Sequence, residues 1–314
     1  MCAFTEQLCH GVSTPRGAQA APARLLLVVL ALLAFSARGQ VEVVDDEGTT
    51  VRLVRPAMRI VSLAPHVTEQ LFAVGAGHRI VGAVEYSDFP PGAKRIARVG
   101  DSGAIDFERL LAMRPDLVVA WTSGNSPKQI EQLRSLGLPV YSSQPRRLED
   151  VATSLERLGR LAGSPEIAAQ AARSFREQVR GLRDRYGSRE PVTVFLELWN
   201  RPLYTVNSEQ LISDVIRLCG GRNVFGDLPV LAPTVTQEAV LKADPAAIVA
   251  TGMGGARPEW LDEWKAWPQL QATRLGNLFV IDSDLMNRHG PRLAEGARQL
   301  CNALDLARSR KARR

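Results

Sequence analysis

Beyond residue 40 the chain alternates short apolar runs with segments whose apolar positions recur at helical spacing. Val41 to Val54 alternates weakly around Asp45-Asp-Glu-Gly48, which predicts an N-terminal hairpin. Arg59-Ile-Val-Ser-Leu63 reads as a short strand stopped by Pro65, and Thr68 is placed to cap a helix running to Gly75-Ala-Gly77. Arg79-Ile-Val-Gly-Ala83 is the next strand. Asp106 caps a helix ending near Arg114-Pro115, and Leu117-Val-Val-Ala120 has the unbroken apolar character of a strand buried on both faces. Ser126-Pro127 opens another helix with proline at its first position, and Leu138-Pro-Val-Tyr141 returns to strand. Strands alternating with helices indicate a parallel sheet built from βαβ units.

The middle of the chain has a different period. Ile167, Ala171, Phe175, Val179, Leu182 and Tyr186 recur at helical spacing, which predicts a helix from Pro165 to Tyr186. At 1.5 Å per residue it would span roughly 33 Å, about the diameter of a small domain. Val192-Thr-Val-Phe-Leu-Glu-Leu198 then starts a second series of strands and helices. The expected class is α/β, with two Rossmann-like lobes, each around a mainly parallel sheet, bridged by one long helix. The expected limits are 40–164 for the first lobe, 165–187 for the bridge and 188–307 for the second lobe. A basic tail occupies 308–314.

An internal echo relates the lobes. Glu108-Arg-Leu-Leu-Ala-Met-Arg-Pro115-Asp-Leu-Val-Val-Ala120 matches Glu238-Ala-Val-Leu-Lys-Ala-Asp-Pro245-Ala-Ala-Ile-Val-Ala250 at an offset of 130, with glutamate, leucine, proline and the buried strand in register. Each glutamate follows a capping residue, Asp106 or Thr236. It is open whether they serve only the helix dipole, which favours a carboxylate there, or form a two-point docking surface with one point per lobe.

The first forty residues read as an address. Leu25 to Phe35 is an uninterrupted apolar run of eleven, too short to cross a hydrocarbon core of roughly 30 Å. It follows Arg16 and Arg24 and precedes Ala37-Arg-Gly39, so residues 1–39 are expected to be a cleavable secretory signal. Export leaves Cys219 and Cys301 as a single pair in an oxidising compartment. Bonded, they would close a loop of about 80 residues, worth on the order of 4 kcal/mol in the chain-entropy model. Two free buried thiols are the other possibility. Of the net charge of +6, three basic residues and one acid lie in 1–39, and five basic residues lie in 308–314. The body between carries 31 basic against 32 acidic side chains. A neutral body lacks the basic footprint of a nucleic-acid binder.

The chemistry-bearing residues cluster in loops after strands, where open α/β sheets hold ligands. No GxxxxGK[ST], strand-linked GxGxxG, GxSxG or HExxH motif is present. Gly100-Asp-Ser102-Gly103 resembles the start of one lipolytic hydrolase family, and Ser102, Asp284 and His289 would be its triad. The spacing between Asp284 and His289 is five where that family uses three, so a loop is the preferred reading. His66 and His289 follow strands, but without a third histidine or a paired carboxylate motif no metal cluster is expected. Tyr86, Trp121 and Trp199 also follow strands. Together they suggest flat apolar walls of a cleft for a bulky ligand, with Asp284 and Arg288 as polar contacts.

Arg59-Ile-Val-Ser-Leu-Ala-Pro-His-Val-Thr-Glu69, Gly75-Ala-Gly-His-Arg-Ile-Val-Gly82 and Tyr86-Ser-Asp-Phe-Pro-Pro91 resemble the helical-backbone class of periplasmic solute-binding proteins that serve ABC importers. Ala120-Trp-Thr-Ser-Gly-Asn125, Leu218-Cys-Gly-Gly-Arg-Asn-Val-Phe225 and Gln299-Leu-Cys-Asn-Ala-Leu304 are similar to the cobalamin-carrying members of that class. The resemblance covers about 55 to 307. It implies a periplasmic, non-catalytic monomer that carries cobalamin or a related corrinoid to a permease dimer with its ATPase subunits. It also implies a Cys219–Cys301 disulfide, ligand contacts at Tyr86, Trp121, Asp284 and Arg288, and permease docking through Glu108 and Glu238; the post-strand loops add Pro65, His66 and Trp199 to the expected ligand site. No cofactor is implied. Two cleft aromatics of the class fall near Leu198 and Ala232, which are not aromatic, and a tryptophan expected near Gly100–Ser102 is missing. Other members carry ferric siderophores or haem, and an anionic chelate here would call on Arg201, Arg257, Arg288 and Arg292.

Overall fold

The structure, a computed structural model, describes residues 40–101 and 103–313. The expected signal, residues 1–39, and Ser102 lie outside the described residues. An antiparallel hairpin of β1 (Val41–Val44) and β2 (Thr50–Leu53) opens the fold. The first lobe follows with β3 (Ile60–Ser62), α1 (Pro65–Ala73), β4 (Ile80–Ala83) and α2 (Phe107–Ala112). It ends with β5 (Leu117–Trp121), α3 (Pro127–Ser135), β6 (Val140–Ser143) and α4 (Leu148–Leu161). Its sheet is parallel, in the order β4-β3-β5-β6.

Helix α5 (Pro165–Tyr186) carries the chain onward, packing against α4 on one side and the second lobe's helices on the other. Ala168, Ala172, Phe175, Val179 and Tyr186 form its buried stripe. Burying a side chain such as Phe175 stabilises the fold by about 1.5–3 kcal/mol. The second lobe contains β7 (Val192–Glu197), a small hairpin of β8 (Trp199–Asn200) and β9 (Leu203–Tyr204), and α6 (Leu211–Leu218). It continues with β10 (Gly221–Asn223), α7 (Gln237–Ala243), β11 (Ala247–Gly252) and α8 (Gln271–Arg274). It closes with β12 (Leu278–Asp282), α9 (Ser283–Met286) and α10 (Leu293–Ala312). Its parallel sheet has the order β10-β7-β11-β12.

Counted within each lobe, both sheets have the strand order 2-1-3-4, and the sequence echo falls on the helix and third strand of each. The match extends to the backbone. Arg114 (φ 47°) and Asp244 (φ 41°), 130 residues apart, both take the left-handed conformation just before a proline, which ends each helix abruptly.

Two local expectations change, and one helix, α4, is added. Helix α1 begins at Pro65, whose missing N–H costs nothing at a first helical position, so Thr68 is internal; its hydroxyl lies 2.8 Å from Ser62 Oγ. Helix α4 has no strong capping residue ahead of it. Instead Asp150 reaches back, accepting hydrogen bonds from the Arg146 and Arg147 backbone N–H groups at 2.9 Å each. Helix α10 runs past residue 307 to Ala312, so Arg308 is not the start of a separate tail. Its guanidinium donates to the carbonyls of Cys219 (2.7 Å) and Glu190 (2.7 Å), and Lys311 pairs with Glu190 at 2.6 Å. These contacts hold the last turns against the second lobe, where a charged tail alone would be solvated. Among the described residues no helix is long and apolar enough to cross a membrane.

Candidate ligand-binding cleft

The cleft begins where β3 and β5, adjacent strands whose connections depart in opposite directions, reach their carboxyl ends. Strand β3 leads through Pro65 to His66 in the first turn of α1, and β5 ends on Trp121. The Ala120–Asn125 segment is built to hold that indole. Asn125 Oδ1 accepts the Trp121 backbone N–H at 2.7 Å, and Asn125 Nδ2 donates to the Leu63 carbonyl at 3.1 Å, tying the two strand ends together. Gly124 passes so close to the ring that a Cβ there would sit 1.8 Å from it, so only glycine admits this placement.

From the second lobe, the turn after α9 brings His289 against both. Ring centroids are 5.2 Å apart for His66–Trp121, 5.5 Å for His66–His289 and 5.8 Å for Trp121–His289. Gln70 donates to the His289 carbonyl (2.8 Å), and the Gln210 amide lies 3.2 Å from His289 Nε2. Burial pushes the His289 imidazole down to about 4. It pushes His66 well below its ordinary range, with His289 and Arg288 adding to the effect. Both rings are therefore neutral at neutral pH. Yet His66 Nε2, His289 Nδ1, Trp121 Nε1 and Gln70 Oε1 are buried without a hydrogen-bond partner among the described residues. Leaving such atoms unpaired costs about 1–3 kcal/mol each, which a polar ligand at this point would recover.

Beside this trio lies an ionic latch between the lobes. Glu69 of α1, only 3% exposed, accepts from Arg288 at 3.1 Å and from Arg292 at 2.6 Å. Arg288 also pairs with Asp88 (2.7 Å) and Asp284 (3.0 Å), while Arg292 stacks over Phe89 at 3.9 Å. Burial opposes the Arg288 charge, but bonds from Asp88 and Glu69 outweigh it, and the guanidinium titrates above its usual range. Removing one member of a buried pair leaves the other charge uncompensated, so the latch aligns the lobes more than it adds net stability.

The expected residues thus separate into groups. His66 and Trp121 meet in the cleft, Asp284 and Arg288 belong to the latch, and Pro65 starts the helix that presents His66. Tyr86 is 76% exposed and left-handed at φ 63°, and Trp199 is 56% exposed with its indole N–H donating to the Arg201 carbonyl. These two stand on the surface and make no ring contact with the trio. Glu108 and Glu238 are exposed in the first turns of α2 and α7, behind the capping side chains of Asp106 and Thr236. Cys219 and Cys301 are bonded. Glu69, Gln70, Asp88 and Gln210 are not among the expected site residues, and Arg292 was expected only as a cation for an anionic chelate. Glu69 and Gln70 stand with His66 and Thr68 as buried polar residues inside the short helix α1, which was the one signal the chain carried.

Of the three residues of the hydrolase reading, Ser102 lies outside the described residues, Asp284 pairs with Arg288, and the His289 ring bonds to Gln210. Among the described residues, no group of three or more His, Cys, Asp or Glu side chains is placed to hold a metal ion.

Two lobes of identical strand order meet at His66, Trp121 and His289, and comparison with known proteins assigns the class. The family model described as periplasmic binding protein matches residues 60–285, and the chain belongs to that family. It is 37% identical over 253 residues to the vitamin B12-binding protein of Vibrio cholerae serotype O1, covering 80% of this chain and 91% of the relative. The crystal structure of the periplasmic vitamin B12 binding protein BtuF of Vibrio cholerae superposes with a TM-score of 0.75 at 36% identity, covering 81% of this chain and 98% of that one. The periplasmic heme-binding protein RhuT from Roseiflexus superposes at 0.70 with 22% identity, covering 80% and 99%, a likeness of fold.

Proposed function

We propose that this protein is the periplasmic substrate-binding component of an ABC importer and carries cobalamin or a related corrinoid between its lobes. The observation that carries the reading is 37% identity across 91% of a vitamin B12-binding protein. The cleft is chemically suited to that cargo. A corrinoid is a broad, rigid macrocycle edged with amides. Trp121, Tyr86 and Trp199 supply flat apolar surface, and the unpaired nitrogens of His66, His289 and Trp121 supply hydrogen-bonding partners for amides. Asp284 and Arg288 would exchange latch contacts for ligand contacts. Residues 40–164 and 188–307 would act as the two lobes, α5 as the bridge between them, and Glu108 and Glu238 as docking points on the permease.

An anionic iron chelate fits less well. Arg201 pairs with Glu263 (2.9 Å), Arg257 with Asp262 (2.5 Å), and Arg288 and Arg292 with Glu69. Each cation that such a chelate would require already has a carboxylate partner. The test is direct: the purified protein is mixed with cyanocobalamin, passed through a desalting column and read in the visible range. Red absorbance eluting with the protein at close to one equivalent is expected. A colourless protein fraction from folded material at micromolar concentration would reject the corrinoid.

A further inference from the structure

A second cavity, of about 250 Å³, lies in the second lobe under the β8–β9 hairpin, beside the start of α7. Its floor is Glu197, the last residue of β7, which is 1% exposed. One of its oxygens, Oε2, accepts the Trp264 indole N–H at 2.9 Å. Among the described residues no hydrogen bond reaches the other, Oε1, on the carboxyl that lines the cavity. The indoles of Trp260 and Trp264 form walls, and Glu263 supplies a second carboxylate at the rim, where the exposed Arg201 pairs with it at 2.9 Å. Asn200 and Gln237 complete the polar edge.

A buried carboxyl with one unbonded oxygen between two indoles, with the one lining cation, Arg201, held at the rim by Glu263, is the complement of a flat organic cation. We propose that this cavity is a guanidinium-binding pocket. A guanidinium is planar, donates two parallel hydrogen bonds to a carboxylate and stacks on an indole. A compact ammonium would use the charge but neither the plane nor the paired donors. Burial pushes the Glu197 carboxyl up to about 8, against the Trp264 hydrogen bond and with the Glu263 charge adding to it. The Glu197 carboxyl is therefore mostly protonated at pH 7, and an arriving cation would displace the proton to solvent. The site goes beyond corrinoid carriage and does not depend on it.

The test uses ethylguanidinium as the probe and its uncharged near-isostere ethylurea as the control, titrated into the purified protein by calorimetry at pH 7 in phosphate and in Tris. Saturable binding of ethylguanidinium is expected, with buffer-dependent heats reporting release of close to one proton per site. Ethylurea should bind at least about tenfold more weakly. Glu197→Gln imitates the protonated acid, so it should keep the thermal transition while weakening ethylguanidinium about tenfold and abolishing proton release. No saturation by ethylguanidinium, equal binding of ethylurea, or unchanged binding by a folded E197Q protein would each overturn the pocket. The guanidinium source is read by a second arm, which alone rests on the importer reading. Weaker capture of loaded E197Q by the purified permease would assign an arginine of the permease. Unchanged capture, with ethylguanidinium binding intact in the parent, would assign a free guanidino compound.

Discussion

Tyr86 holds a left-handed backbone (φ 63°) that costs a residue with a Cβ roughly 1–2 kcal/mol, and it does so while leaving its ring 76% exposed. Strain without burial returns nothing to the fold, and such positions cluster at ligand sites. Tyr86→Gly should therefore raise the unfolding free energy in urea by about 1 kcal/mol while weakening corrinoid affinity about tenfold. A glycine variant that loses stability and keeps affinity would return Tyr86 to a structural role. The histidines make a prediction of the opposite kind. In the unfolded chain His289 takes up a proton near pH 6.5, but in the folded protein it does not do so until about pH 4. His66 is shifted in the same direction. The unfolded state thus binds more protons below pH 6.5, and stability falls as pH drops through that window, by at most about 1.4 kcal/mol per unit per histidine. Urea midpoints should decline from pH 6.5 to 5, and His289→Gln should make the decline shallower. An unchanged slope in that variant would show that His289 is not buried neutral.

Elements whose stop and start signals are local were legible from the chain alone. Helix α5 occupies Pro165–Tyr186 as the apolar spacing predicts, and the third strands appear where the echo places them. The start of helix α4 was not marked, although Leu148, Val151, Leu155, Leu158 and Leu161 recur at helical spacing, because its N-terminal cap is an aspartate at the third helical position and not a residue ahead of the helix. The start of α1 was misplaced because Pro65 fits a strand stop and a first helical position equally well in sequence. Helices α2 and α7 share one construction, a capping side chain followed by an exposed glutamate, and the hydrogen bond from the Thr236 side chain joins Glu238's own backbone N–H in holding its carboxyl below the usual range. Both glutamates face solvent. Reversing Glu108 and Glu238 together to lysine should leave corrinoid affinity intact and weaken the permease complex at least tenfold, more so at low salt. Equal permease affinity would confine both to helix termination.

At the scale of the molecule, one contiguous apolar cluster runs from Val43 in the first hairpin through Phe175 and Val179 of α5 to Leu304 and Ala307 of α10. The lobes are further joined by the Glu69 latch, by Arg146–Glu209 at 2.8 Å, and by the Leu148 N–H to Asp214 at 2.9 Å. A hinge would have to disrupt packed apolar contacts as well as these bonds, so ligand binding should produce little closure. Small-angle scattering profiles with and without cyanocobalamin should overlap. A contraction of several ångströms would show that the shared core yields.

The α/β class, the paired lobes, the long helix and the strand-end positions of His66 and Trp121 follow from apolar periodicity, capping residues and an internal echo, all properties of neighbours along the chain. That His66, Trp121 and His289 form one cluster, that Glu69 holds Arg288 and Arg292, and that Glu197 lies under a cavity follow from packing alone. His66 and His289 are more than two hundred residues apart, and no local pattern records which distant side chains will share a buried space. Their proximity, and the loss of water that keeps both rings neutral, exist only once the lobes have packed.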